Sequence, residues 1–311
     1  MNHRFFIGIL ITLLLAVPAL YAEETEYVIN YRDTIANGND TTFAISVTER
    51  RIVPPLRVEQ VRFNTIAVPA SSRQLENALV RSQRGDTLVL ENGRYRGGFR
   101  VPAGVTIRAK EKGKAHIVGR GRNKVVSLSN GNMIHGLRIT GGTIGVYSEG
   151  IDNSILACII SDNRQTGILA VAHFVRIEDN LIFRNSGSGI QFWDIETTGE
   201  ILNNTIVYND NHGFSLGGTS RVGLTNNIIA FNGRFAVKIN PVSEIFQEFN
   251  VFLSYIQVNM TLPENNFSFD PEFVSPERND FRLKETSKCF NNGRNGTNIG
   301  SRVYTALWRM E

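Results

Sequence analysis

Three markers in this sequence keep step with one another at intervals of about 22 residues. Asn180, Asn204, Asn227 and Asn250 open the related phrases NLIF, NTIVY, NIIAF and NVFL, at spacings of 24, 23 and 23. Cys158, in CII, stands 22 residues before Asn180. Gly145-Val146, Gly167-Ile168, Gly189-Ile190 and Gly213-Phe214 form a second series, spaced 22, 22 and 24, with Ala236-Val237 following 23 later. Asn163, Asn185, Asn209 and Asn232 form a third, spaced 22, 24 and 23. A period of this length is the mark of a solenoid.

Each unit holds short alternating runs, such as Val175-Arg176-Ile177 and Ile190-Gln191-Phe192, separated by Gly, Asn and Ser. Alternation at period two is the strand pattern, and the separators are turn formers. Units this small cannot close a core alone and must stack on their neighbours. Three short strands per coil use about 22 residues, so stacked coils give three long parallel sheets. Recurring asparagines at one corner can bond from coil to coil as a stacked amide ladder. The glycine ahead of each apolar strand predicts a sharp or left-handed bend. A helical solenoid would need long apolar stretches of period 3.6 and fewer asparagines.

These units resemble the right-handed parallel β-helix superfamily, the pectate-lyase-like secreted proteins, and both flanks extend the likeness. SSRQLENALVRSQRGDTLVLENGRYRGGFRVPAGVTIRA reads as a helix and a first coil, with Ser71 and Gln74 placed for a capping box and Gly85 for a stop. Leu75, Ala78 and Leu79 share the helix's apolar face. The resemblance implies that this helix covers the open core end. FDPEFVSPERNDFRLKETSKCFNNG followed by TNIG resembles the segment that closes such stacks, with Asn291 and Asn292 where the family carries an acidic residue. The fold expected is therefore all-β, a right-handed parallel β-helix over residues 70–303 with an N-terminal capping helix and a C-terminal cap. Residues 304–311 form a tail. Residues 23–69, with TFAISVTE and LRVEQVRFNTIAV broken by Pro54-Pro55, form a β-rich extension, either a hairpin along the first coils or a cap.

Residues 1–22, MNHRFFIGILITLLLAVPALYA, have a positive start, a short apolar run and small residues after it, as a signal peptide does. The run is short for a membrane span, which needs about 20 apolar residues. A secreted or periplasmic monomer with no membrane span is expected. Cys158 falls at a core position, which makes it a buried free thiol, and no CxxC, HExxH or phosphate-binding loop is present. Charge is uneven: Arg50 to Lys124 carries 17 Lys and Arg against 5 Asp and Glu. A basic end of this kind suits a polyanion. For an exported chain that means an acidic polysaccharide or envelope glycan before nucleic acid.

The resemblance also implies where chemistry would sit. Polysaccharide-active β-helices work in a groove outside one sheet, where side chains of successive strands line up about 4.8 Å apart. Counting the residue after each glycine as inward, one outward row is Tyr147, Leu169, Gln191, Ser215 and Lys238. The next is Glu149, Val171, Trp193, Gly217 and Asn240. Tyr147, Gln191, Trp193, Asp194 and Arg176 are the candidate substrate contacts. An outward Trp193 is a platform for a sugar ring unless a loop buries it. Lys238 could neutralise a uronate carboxylate or serve as a base, and His173 and His212 are the other candidate catalytic groups. The plainer readings are a solvated lysine and two polar turn residues.

HGFSLGG followed by FAVKIN looks like the polygalacturonase family, on which His212 and Lys238 would match its Gly-His-Gly turn and basic strand. That family needs aspartates where this chain has Thr166-Gly167 and Ser188-Gly189, and inverting hydrolysis needs two carboxyl groups. Hydrolysis of that type is disfavoured. β-Elimination or epimerisation at a uronate asks for less: a base near C5 and a positive group on the carboxylate. Calcium could supply that charge, but it needs clustered oxygen ligands, and Glu149, Asp152, Asp162 and Asp194 are scattered. No cofactor or metal site is expected. Two functions follow: an enzyme of the lyase or epimerase kind on acidic glycan, or a non-catalytic glycan-binding or envelope-associated β-helix.

Overall fold

A computed structural model describes residues 26–37, 40–51, 63–121, 123–193, 196–254, 256–258 and 263–303. The expected signal sequence at 1–22 and the expected tail at 304–311 lie outside the described residues. The chain divides into two units, Met1–Arg62 and Phe63–Glu311. In the first, Glu26–Asn37 and Asp40–Arg51 pair as an antiparallel hairpin. Within the second unit, each coil visits three parallel sheets in turn. The first sheet runs from Thr65–Val68 to Glu244–Glu248, the second from Gly93–Arg96 to Val251–Leu253, and the third from Phe99–Arg100 to Ile256–Val258. The result is an all-parallel β-solenoid of about eight coils.

Successive coils stack like on like. Ile177, Ile201 and Leu224 line the interior from the first sheet, Ile182, Ile206 and Ile229 from the second, and Ile190, Phe214 and Val237 from the third, all fully buried. The helix Ser72–Arg81 adds Leu75 and Leu79 to this core. Its ends differ from expectation. Ser71 is the N-cap by backbone, but its hydroxyl caps nothing; the helix stops at Ser82, whose hydroxyl donates to the Leu79 carbonyl at 2.9 Å. Gly85 lies beyond, in the next turn.

Two corners carry amide ladders, where the sequence suggested one. At the corner between the first and second sheets, Asn180 donates to Asn204 (3.0 Å), Asn204 to Asn227 (3.0 Å), Asn227 to Asn250 (2.9 Å) and Asn250 to Asn266 (2.9 Å). At the corner between the second and third, Asn163 donates to Asn185 (2.9 Å), Asn185 to Asn209 (2.9 Å) and Asn209 to Asn232 (3.0 Å). Each oxygen also receives a backbone N–H from the coil before, as Asn204 does from Asn180 (2.9 Å). The left-handed bend falls on the residue just ahead of the ladder asparagine in eight cases, and it is not glycine: Asp179, Asn203, Asn226 and Phe249 at one corner, Asp162, Arg184, Tyr208 and Phe231 at the other. Such a conformation costs roughly 1–2 kcal/mol per residue, and the saturated amides offset it.

The repeated glycines therefore do a different job from the one expected. None of Gly145, Gly167, Gly189 and Gly213 has a positive φ. They sit where the ladder leaves no room: a methyl on Gly213 would lie 2.7 Å from Asn232 Nδ2 and 2.8 Å from the Ala236 carbonyl oxygen. The two cysteines are free and buried, and burial pushes the Cys158 thiol up to about 12.

The second sheet is apolar on both faces in its later coils, as the unbroken runs Leu181-Ile182-Phe183 and Ile228-Ile229-Ala230 require. The closing segment covers that outer face. Phe273, Phe281, Cys289 and Ile299 pack on Leu181, Phe183, Val207 and Ile228. Ser301 donates its N–H to Thr205 Oγ1 (3.0 Å) and its hydroxyl to the Asp179 carbonyl (2.9 Å). The segment thus runs back along the stack as well as ending it. Asn291 and Asn292 close a loop through Asn298 and the Lys288 carbonyl rather than through an ion pair.

Removing one rung should cost more than removing a surface amide. Asn209→Ala strips the acceptor from two Asn185 donors, and about 2–4 kcal/mol of stability should go with it. Gly213→Ala should cost about 1–3 kcal/mol by overpacking. Urea midpoints read both; losses below about 0.5 kcal/mol would show that the ladder is incidental.

Candidate functional site

The third sheet presents one outward row that its hydrogen bonding fixes without ambiguity: Tyr147 beside Leu169, then Gln191, Ser215 and Lys238 on successive coils. Buried neighbours on either side hold the row, because period two forces every other residue inward. The next row follows from the ladder bonds beyond the strands. Trp193 N–H donates to the Ala170 carbonyl (3.1 Å), Gly217 to Phe192 (2.9 Å) and Asn240 to Leu216 (2.9 Å). Beneath them Phe192 and Phe214 meet edge to face, 5.4 Å between ring centres.

A cleft of about 610 Å³ opens on this face. Gln191, Ser215 and Lys238 come to it from the strands, Ser188, Asn211 and His212 from the turns ahead of them, and Trp193, Asn240 and Pro241 from the turns behind. Trp193 is 66% exposed, a large apolar surface left open beside polar groups. Lys238 is exposed and forms no ion pair among the described residues. Asn211 Oδ1 is buried and has no hydrogen-bond partner among the described residues. A buried acceptor left unpaired costs about 1–3 kcal/mol.

His212 is buried, and the structure fixes its chemistry. Phe235 N–H donates to its Nδ1 at 3.3 Å, so the ring proton sits on Nε2. The ring packs against Phe235 with centres 5.4 Å apart. Burial first, then the charges of Lys238 and Arg234, push its pKa down to about 4. At neutral pH His212 is an uncharged hydrogen-bond donor through Nε2, which suits it to hold an oxygen and not to take a proton there.

Of the residues singled out from sequence, His212, Lys238, Gln191 and Trp193 share this cleft. Tyr147 stands on the same row two coils earlier, with Lys124 Nζ 3.1 Å from its ring centre. His173 is exposed at the corner between the third and first sheets and is not part of the cleft lining; its carbonyl accepts from Thr198 N–H (3.2 Å). Arg176 is on the first sheet, a different face. Its guanidinium is held by Glu178 (2.8 Å) and Glu200 (2.9 Å). Asp194 lies outside the described residues. Asn211 was missed; its one sequence signal is its place beside His212 in a turn. Among the described residues, no three His, Cys, Asp or Glu side chains come together to hold a metal ion, and no helix is long and apolar enough to cross a membrane.

Residues 123–265 match the family model described as the right handed beta helix region. The stacked coils of these residues thus have the right-handed parallel β-helix fold. Among solved structures, an alginate lyase from Paenibacillus sp. str. FPU-7 is similar at 17% identity and a TM-score of 0.50, over 60% of this chain and 76% of that one. The periplasmic alginate epimerase AlgG is similar at 13% identity and a TM-score of 0.41, over 66% of this chain and 57% of that one. The PL6 family alginate lyase AlyGC is similar at 15% and 0.40, over 67% and 40%. The chain thus spans less than two thirds of the last two. No curated protein matches it in sequence.

His212 supplies a pH test. Its folded pKa lies below its unfolded value, so between about 4 and 6.5 the unfolded chain binds the extra proton. Stability contributed by the neutral ring is complete above pH 6.5 and falls as pH drops toward 4. A ¹⁵N-imidazole titration should give the Nε2–H tautomer and a pKa near 4, and His212→Gln should flatten the stability slope in that window. A pKa near 6.5 would contradict the assignment.

Proposed function

We propose that this protein is exported and binds an acidic polysaccharide in the cleft on its third sheet. The observation that carries the reading is the donor and acceptor set around an open indole. A pyranose ring has an apolar face for Trp193 and hydroxyls for Ser215, Gln191 and the His212 Nε2–H. A uronate adds a carboxylate, and Lys238 is the one cation lining the cleft among the described residues. The open side of the sheet lets a long chain continue across the coils in both directions.

Lyase or epimerase chemistry on a uronate is the enzymatic form of this reading. It is supported by the name of the Paenibacillus neighbour, which shares the fold. Both reactions begin by removing the C5 proton. In elimination the electron pair forms the C4–C5 double bond, the C4–O bond breaks and the leaving oxygen takes a proton; in epimerisation C5 regains a proton from the other face. Lys238 on the carboxylate would make C5 more acidic, and the His212 Nε2–H would hold the developing negative oxygen. The remaining role is a base, for which His173, at the corner between the third and first sheets, is the candidate. A second reading, binding without turnover, rests on a specific observation: His212, with Nδ1 occupied, is a donor and not a base.

Titration calorimetry with uronate trisaccharides should show binding to the native chain and a loss of about tenfold or more in Trp193→Ala and in Lys238→Ala, with neutral trisaccharides affected by the first change alone. Incubation with alginate and pectate, read at the ultraviolet band of the unsaturated product and by NMR of sugar configuration, separates enzyme from binder. No binding to any acidic oligosaccharide would refute the proposal.

A further inference from the structure

The outer face of the second sheet changes character along the stack. From Ile159 onward its outward rows are apolar or small, and the closing segment lies on the later coils. In the first three coils the same rows carry Arg94, His116 and Arg138 in register, one per coil, with Arg96 leading the parallel row through Val118 to Thr140. All three arginines are exposed. None of their guanidinium groups has an ion pair or hydrogen bond among the described residues. Some arginines elsewhere are matched, Arg176 with Glu178 and Glu200, Arg221 with Glu244, Arg282 with Asp280 and Arg294 with Glu248, while others, such as Arg108 and Arg234, stand single; what sets this face apart is that its unmatched arginines fall in register on neighbouring coils. Asp162, the acid whose charge reaches His116, is held by Arg184.

His116 does not add a charge to the row. Its Nε2 is bonded to Thr140 Oγ1 at 2.8 Å, and burial, then Arg138 and Arg94, push its pKa down to about 4. The fixed charges of the row therefore recur every second coil, about 10 Å apart at the usual strand spacing.

We propose that Arg94, Arg96 and Arg138 form a second anionic-glycan surface, an anchoring track for long uronic-acid polysaccharides that is separate from the cleft on the third sheet. A file of arginines along the stacking axis fits a linear polymer, because an extended uronan turns a carboxylate to the same side at every second sugar. A lipid surface fits less well: membrane-binding faces pair their cations with inserted apolar side chains, and the neighbours here are a histidine, a threonine and a half-buried valine. A single-stranded nucleic acid would want rings to stack on, and these rows carry no Phe, Tyr or Trp. The choice of polymer rests on the acidic-polysaccharide reading of the cleft; the site itself does not.

The test uses the full chain, high-molecular-weight alginate, a uronate trisaccharide and anionic phospholipid vesicles. In the variant R94Q/R138Q, affinity for long alginate at low salt should fall about tenfold, the scale of two exposed ion pairs, and its salt dependence should become shallower. Trisaccharide binding in the cleft should not change. The cleft variant W193A/K238A should show the reverse, losing the trisaccharide while keeping salt-dependent binding of the polymer. Arg221→Gln, which removes one positive charge from the first sheet, should leave polymer affinity as it is. The inference is overturned if R94Q/R138Q binds alginate like the native chain, if Arg221→Gln weakens it equally, or if only vesicle binding is lost. If the trisaccharide fails to bind the native chain while R94Q/R138Q still loses the polymer, the cleft reading falls and the track stands.

Discussion

The structure depends on the hydrogen bonds that asparagine amides make from coil to coil. A solenoid coil of this size has no core of its own, and its corners would leave buried backbone groups unpaired. Asn204 shows how this is met: its oxygen takes two N–H groups from Asn180, and its amide donates to Asn227 and to the Ile177 carbonyl. Every rung sets the height and angle of the next coil. Side chains that are 22 to 24 residues apart in sequence therefore arrive in one row with the spacing of a β-sheet.

That regularity is what builds the cleft. Gln191, Ser215 and Lys238 need no special local structure to meet, since register alone brings them together. The special features lie at the corners. Asn209 is a ladder rung, Gly213 leaves room beneath the next rung, and the residues between them, Asn211 and His212, are carried to the cleft's edge. The buried, neutral His212 and the unpaired Asn211 oxygen are consequences of a turn packed under the ladder. The same stacking separates functions by face: a polar cleft on the third sheet, ion pairs on the first, and an arginine file giving way to a covered apolar surface on the second.

The period, the strand alternation and the outward row were legible in sequence because each is a repeat, and a repeat reports on geometry directly. What was not legible depends on contacts between coils. The repeated glycines read as bends, but the bends fall on Asp179, Tyr208 and their equivalents, since the ladder stabilises a left-handed residue that propensity alone would refuse. Arg176 read as a free cation until Glu200 arrived beside it from the next coil. Asn211 had no signal because its burial is set by neighbouring coils. His212 looked like a base in a turn; the Phe235 N–H, 23 residues away, makes it a donor.

The claim at the centre of this account is that coil stacking assembles a uronate-binding cleft on the third sheet. A crystal structure with a bound uronate trisaccharide tests it most directly. The sugar should stack on Trp193, with its carboxylate within hydrogen-bonding distance of Lys238 Nζ and a hydroxyl on Ser215 Oγ. A trisaccharide found on another face, with the cleft empty, would contradict it.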